Sequence, residues 1–145
     1  MKSSSAVIIL LIIALTALNT HVTAADEHPT ATFQTGSVNG IDYIAGGVGD
    51  DDRDALEAIA RAKYNLKLIF ATNMGSYLAD IPVEITGKGG KKLIEAVSSG
   101  PLFFVKLPVG TYTIKATFEG KEKTQKIKAT NAKQQAVFTW LIPTL

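Results

Sequence analysis

The sequence predicts an all-β fold: an antiparallel sandwich of about seven strands, preceded by one short α-helix. Three observations carry this. From Thr111 to Glu119, Tyr112, Ile114, Ala116 and Phe118 alternate strictly with polar residues, the period of a strand with one buried face. Further apolar runs recur about every ten residues, with Gly, Pro, Asn or Ser between them, as in sandwiches. Ahead of them, Leu56, Ile59, Ala60 and Lys63/Tyr64 fall at helical spacing behind an acidic first turn.

Residues 1–25 have the layout of a signal peptide. Lys2 supplies the positive start, and Ala6 to Leu18 is an apolar run of 13 residues. Spanning a bilayer takes about 20. Small residues allow cleavage after Ala24 or Ala25. The expectation is a periplasmic or secreted protein of about 120 residues with no stable membrane anchor after cleavage. The chain has no cysteine. That removes disulfides, thiol catalysis and a lipidated amino-terminal thiol. One domain with a single core suits this length.

In order, residues 26–45 read as a flexible leader. Asn39-Gly40 is a turn signal, and Ile41 to Ala45 is a short strand or an extended arm. Residues 46–64 read as a Gly-rich loop and helix. Asp50 or Asp51 caps the start, and Asn65 closes the end in a left-handed conformation. Residues 65–141 form the sandwich. Leu66, Leu68 and Phe70 alternate with Lys67, Ile69 and Ala71, a strand whose outer side lies under the helix. The strand ending at Thr86 holds Pro82, which cannot donate to a ladder. That strand is therefore an edge, or Pro82 turns its nitrogen outward. Leu102 to Lys106 and Thr111 to Glu119 read as a hairpin across Pro108 and Gly110. Lys121 to Ala129 is an exposed strand whose lysines discourage pairing with another molecule. Gln135 to Leu141 is the last strand, carrying Phe138 and Trp140.

Charge is unevenly placed. Residues 26–57 carry net −7, and residues from 58 onward carry net +8. Two readings follow: solvated faces that attract one another across the fold, or an anionic partner on the basic half. Nucleic acid is not expected of an exported chain whose bases are strand lysines with Arg61 as their only arginine.

Leu78-Ala79-Asp80-Ile81-Pro82-Val83, a Gly-rich loop at 87–90, and Leu107-Pro108-Val109-Gly110-Thr111-Tyr112 together resemble the carboxypeptidase regulatory-like domain. The resemblance covers roughly Leu66 to Trp140. It implies an Ig-like or prealbumin-like sandwich in a small exported bacterial protein, and it admits a carbohydrate-binding module of the starch-binding-like fold. The helix before it departs from the plain domain. The hydroxyisourate hydrolases share the transthyretin shape. Their histidine and arginine site and Tyr-Arg-Gly-Ser ending have no counterpart here, where the chain ends Trp140-Leu141-Ile142-Pro143-Thr144-Leu145.

Little points to bond-making chemistry. His21 leaves with the signal peptide, and His28 lies in the leader. Ser98 and Ser99 have no histidine to activate them. Gly46-Gly47-Val48-Gly49 precedes a helix but lacks the Lys-Ser/Thr of a phosphate loop, and the aspartates after it repel anions. Asp50, Asp51, Asp52 and Asp54 are a weak calcium candidate, because consecutive aspartates point different ways. No cofactor is expected. A sugar platform would draw on Tyr77, Phe104 and Trp140, although a tryptophan in a terminal strand more often fills a core. The sequence therefore predicts a non-catalytic exported module that binds an unknown protein or a glycan.

Overall fold

The computed structural model describes residues 32–143. The signal peptide over 1–25 and the start of the leader lie outside them. The described chain forms β1 (Gln34–Val38), β2 (Ile41–Gly46), α1 (Asp50–Ala60), β3 (Leu66–Thr72), β4 (Ile81–Thr86), β5 (Lys92–Ser98), β6 (Leu102–Val105), β7 (Gly110–Phe118), β8 (Lys121–Ala129) and β9 (Gln134–Trp140). These strands make two sheets, ordered β1-β2-β6-β3-β9 and β5-β4-β7-β8. Pairing is antiparallel except between β3 and β9, which run parallel. Seven strands follow the helix, as expected, and two more precede it.

Those two strands correct the leader expected over 26–45. β1 and β2 pair from Gln34↔Ala45 to Val38↔Ile41 around Asn39-Gly40. Both turn residues have positive φ, 52° and 76°, the geometry that suits the right-handed twist of a hairpin. β1 is polar and contains Gly36, so it carries no apolar period. Its place is set across the ladder instead: the Tyr43 ring lies over Gly36, where a Cβ would collide with it. Because β2 also pairs with β6, residues 34–46 belong to the sandwich.

The expected hairpin between 102–106 and 111–119 is also corrected. β6 and β7 lie in different sheets, and Lys106 to Val109 cross between them. Leu102, Phe103, Phe104 and Val105 are all buried, which marks a strand covered on both faces. Its inner face meets the opposite sheet, and its outer face meets the helix. The true hairpin partner of β7 is β8, across Glu119-Gly120. Pro82 sits on a central strand, β4, one residue before the ladder to β7 begins at Val83. The lysine-rich β8 is an edge, as expected.

Two apolar clusters hold the layers. The larger lies between the sheets and includes Leu68, Phe70, Ile85, Ile114, Phe138 and Trp140. The smaller lies between α1 and the outer face of the five-stranded sheet, where Leu56, Ala60 and Tyr64 meet Ile44, Leu102 and Phe104. Ile59, expected in the helix stripe, faces solvent; the buried stripe runs at steps of four instead. The open edges are laced by side chains. Gln125 Nε2 donates to the Val137 carbonyl at 2.6 Å, and Trp140 Nε1 donates to the Lys121 carbonyl at 2.9 Å, so β9 is tied to β8. Asn39 Nδ2 donates to the Leu93 carbonyl at 2.9 Å, tying the first hairpin to β5.

Candidate functional site

The three aromatic candidates do not make a platform. Trp140 is 1% exposed and packs against Phe70, Phe118 and Phe138 between the sheets. Phe104 is 6% exposed and lies under α1, tilted against Tyr64. Each is buried because its strand offers that face to a layer, and the two belong to different clusters. Tyr77 is half exposed, and the Arg53 guanidinium covers its ring at 4.4 Å from the centroid.

Arg53 is a contact that sequence reasoning missed. It pairs with Asp50 and donates to the Gly47 carbonyl at 3.1 Å, bracing the glycine loop. Gly49, not Asp50 or Asp51, occupies the position before the helix, and no side chain caps it. The aspartates still complement the positive helix end. Asp50, Asp51, Asp52 and Asp54 do not gather into an ion site: among the described residues, no group of three or more carboxylates or histidines is placed to hold a metal.

Asn65 does not close the helix either; Arg61 takes that place with right-handed angles. The Asn65 side chain is a clasp. Its Nδ2 donates to the Leu107 carbonyl at 2.8 Å and to the Thr130 carbonyl at 3.1 Å, and its Oδ1 accepts from the Leu107 N–H at 2.9 Å. One amide thus holds the crossover between the sheets and the loop before β9. Next to it, the Tyr112 hydroxyl donates to the Pro108 carbonyl at 2.7 Å, bending the chain into β7.

These clasps shape one end of the sandwich. The strand registers bring the turn at 39–40, residues 62–65, the loop at 87–91, the crossover at 106–109 and the loop at 130–133 to that end. Two open grooves meet there at Val109, of about 880 Å³ and about 480 Å³. Lys88, Lys91 and Lys126 line the first, and Lys63, Lys106 and Lys133 the second. Among the described residues only Lys63 of these six is ion-paired, with Asp42 at 3.3 Å. The Ser37 hydroxyl and Lys63 hold the Asp42 carboxyl below its ordinary pKa. The reciprocal contact raises that of Lys63. The opposite end carries Asp50, Asp51, Asp52, Asp54, Asp80 and Glu119 in loops and the first helical turn. Arg53 and Lys121 share that end, and Asp42 lies at the lysine end beside Lys63, so the split of charge along the sequence only partly becomes a split between the ends of the fold.

A third cleft, of about 280 Å³, opens between α1 and the sheet. Lys67 pairs there with Glu57 and lies 5.7 Å from the Phe104 ring centroid. Burial pushes the Lys67 ammonium below its ordinary pKa. Gln134 Oε1, at the rim, has no hydrogen-bond partner among the described residues. Arg61, Tyr64 and Lys133 also line the cleft, and no serine, threonine, cysteine or histidine is among its described lining residues. On the outer face of the four-stranded sheet, Glu84 bridges Lys92 and Lys115 at 3.5 and 3.4 Å. Burial raises the pKa of Glu84, but the two lysines outweigh it and leave the carboxyl below its ordinary value.

The described residues contain no histidine and no cysteine, and no described helix is long and apolar enough to cross a membrane. No protein-family model matches the chain, and no curated protein matches it. The fold is a small all-β domain of two packed sheets with one helix, a generic β-sandwich with no catalytic set assembled among its described residues.

Proposed function

We propose that this chain is an exported, non-catalytic β-sandwich module that works by binding, as an accessory or interaction domain, through the lysine-lined end of the fold. The observation that carries the reading is the contrast between interior and end. The interior between the sheets is filled by apolar side chains, while two open grooves adjoin at one end and carry six lysines with one carboxylate partner among the described residues. The Leu107–Tyr112 stretch, with Tyr112 folded back on Pro108, supports the carboxypeptidase regulatory-like type of sandwich. The layout of residues 1–25 supports export. A sugar-stacking module is not favoured, because Phe104 and Trp140 are buried.

A photo-crosslinking amino acid at Val109, where the grooves meet, tests the binding end. Met74, exposed at the opposite end, is the control position. In the producing cells, discrete adducts form from Val109 and not from Met74. Equal adducts from both, or none from Val109, overturn the reading. Fractionation tests export: the expected product lies outside the cytoplasm with its amino terminus at residue 25 or 26, and an intact cytoplasmic chain refutes it.

A further inference from the structure

We infer that the occupant of the lysine-lined end is an anionic polysaccharide lying along the two grooves as one trough. The inference rests on the binding-module reading above and names its ligand class. Four features argue for it.

The first is continuity. Val109 lines both grooves, so Lys88, Lys91 and Lys126 on one side and Lys63, Lys106 and Lys133 on the other flank adjoining openings. Two adjoining open grooves suit an extended chain better than a small anion, which would need converging donors in an enclosed site.

The second is the kind of cation. All six are lysines, exposed at their ends. Lysine is a mobile point charge without the planar fork with which arginine grips one carboxylate or phosphate in two bonds. Spaced lysines favour a ligand with repeating charge, held mainly by release of its counterions.

The third is the wall. The floor of the first groove includes Gly87, Gly89, Gly90 and Gly110, which leave backbone open where side chains would obstruct a bulky sugar ring. Thr111 and Thr113 add hydroxyls to the same lining, fit for sugar hydroxyls, while the Thr86 hydroxyl donates to the Thr113 carbonyl at 3.3 Å.

The fourth is charge complementarity across the molecule. The acidic residues of the first helical turn repel the same polymer, although Arg53 and Lys121 lie at that end too, so the field favours the lysine-lined end. An acidic protein would also be attracted, but the trough offers it no large apolar anchor of the kind protein interfaces use: Val109 is the one large exposed apolar side chain where the grooves meet.

The test uses the full chain and immobilised polygalacturonate and heparin, with neutral dextran as the uncharged comparison. Both polyanions retain the protein at low salt, and dextran does not. Two double variants, Lys88→Gln with Lys91→Gln and Lys106→Gln with Lys133→Gln, each weaken binding about tenfold. Each also reduces the slope of log affinity against log salt by about 1.4, two contacts at the factor for a single-stranded polyanion. Lys121→Gln with Lys123→Gln, on the strand that starts at the opposite end, changes affinity less than about twofold. Melting temperatures of all three variants stay at the wild-type value, which separates binding from folding. The inference is overturned if neither polyanion is retained, if the control pair weakens binding as much as the groove pairs, or if polyglutamate or duplex DNA binds through the groove lysines more tightly than either polysaccharide. Loss of polysaccharide retention with Val109 crosslinks intact defeats this inference and leaves the module reading standing.

Discussion

Replacing Asn65 with alanine removes three hydrogen bonds at once: two from Nδ2 to the carbonyls of Leu107 and Thr130, and one from the Leu107 N–H to Oδ1. Each contributes about 1 kcal/mol net, and the part-buried Leu107 groups lose a partner that alanine cannot replace. The expected loss is about 3 kcal/mol, a large share of the stability of a domain this size. At about 4 °C per kcal/mol, the melting temperature falls by about 12 °C. Trp140 is the only tryptophan and is buried, so its fluorescence reports the transition in urea or on heating. Asn65→Asp sharpens the test. It keeps the acceptor for the Leu107 N–H but faces two carbonyl oxygens with a carboxylate, which raises the pKa of the introduced carboxyl. A raised folded-state pKa contributes stability below the unfolded value that is lost as pH rises. This variant is therefore closer to wild type near pH 4 than at pH 7. A loss under about 1 kcal/mol for Asn65→Ala, or an Asn65→Asp variant whose deficit ignores pH, refutes the clasp.

Tyr112→Phe deletes the bond to the Pro108 carbonyl and costs about 1 kcal/mol by urea denaturation. In the wild type, burial raises the Tyr112 pKa above 10.0, so its contribution is full below that value and is lost as pH climbs beyond it; the Phe variant shows a shallower alkaline decline. Gly100→Ala drives a methyl into the Gly46 backbone, which cannot yield as a side chain would, and costs about 3 kcal/mol or fails to fold, read by circular dichroism. Trp140→Ala empties the centre of the aromatic cluster and costs about 3–5 kcal/mol by the same measure. Ser37→Ala raises the Asp42 pKa toward 3.8 in a carboxyl NMR titration, because the hydroxyl is the largest cause of its depression. The native depression means that the stability contributed by Asp42 exists above its unfolded pKa and is lost as pH falls through the folded one.

What the sequence made legible was local. Asn39-Gly40 is readable as a turn because few residue pairs accept positive φ twice, but the strand before it is not. β7 is readable from strict alternation, and β3 from its double apolar character. β6 defeated the same logic. Leu-Phe-Phe-Val is apolar on both sides, and a period of two says nothing about which sheet a strand joins. Proximity along the chain favoured β7 as its partner, whereas β2 and β3 claim it. β1 was hidden for the opposite reason: its only distinguishing residue is a glycine, explained by a ring seven positions away. The candidate aromatics failed on layers. Phe104 shares a face with the exposed Lys106, yet the helix roofs only the phenylalanine. Asn65 and Arg53 work through partners set by the fold, and neither spacing nor propensity gives such distances. The basic end was half visible. The excess of lysine was countable, but its members sit in loops or strand ends between residues 63 and 133 that only the strand registers bring together.

Among the described residues, the strand that completes the larger sheet is the last in chain order. β9 lies parallel beside β3, nearly half the chain away, and brings Phe138 and Trp140 into an interior that is otherwise already supplied. Without β9 the interior has a gap where those rings belong, and β3 is left with a naked border. Cooperative closure therefore needs two distant stretches of chain at once, and neither border of that seam is satisfied by its own neighbours in sequence.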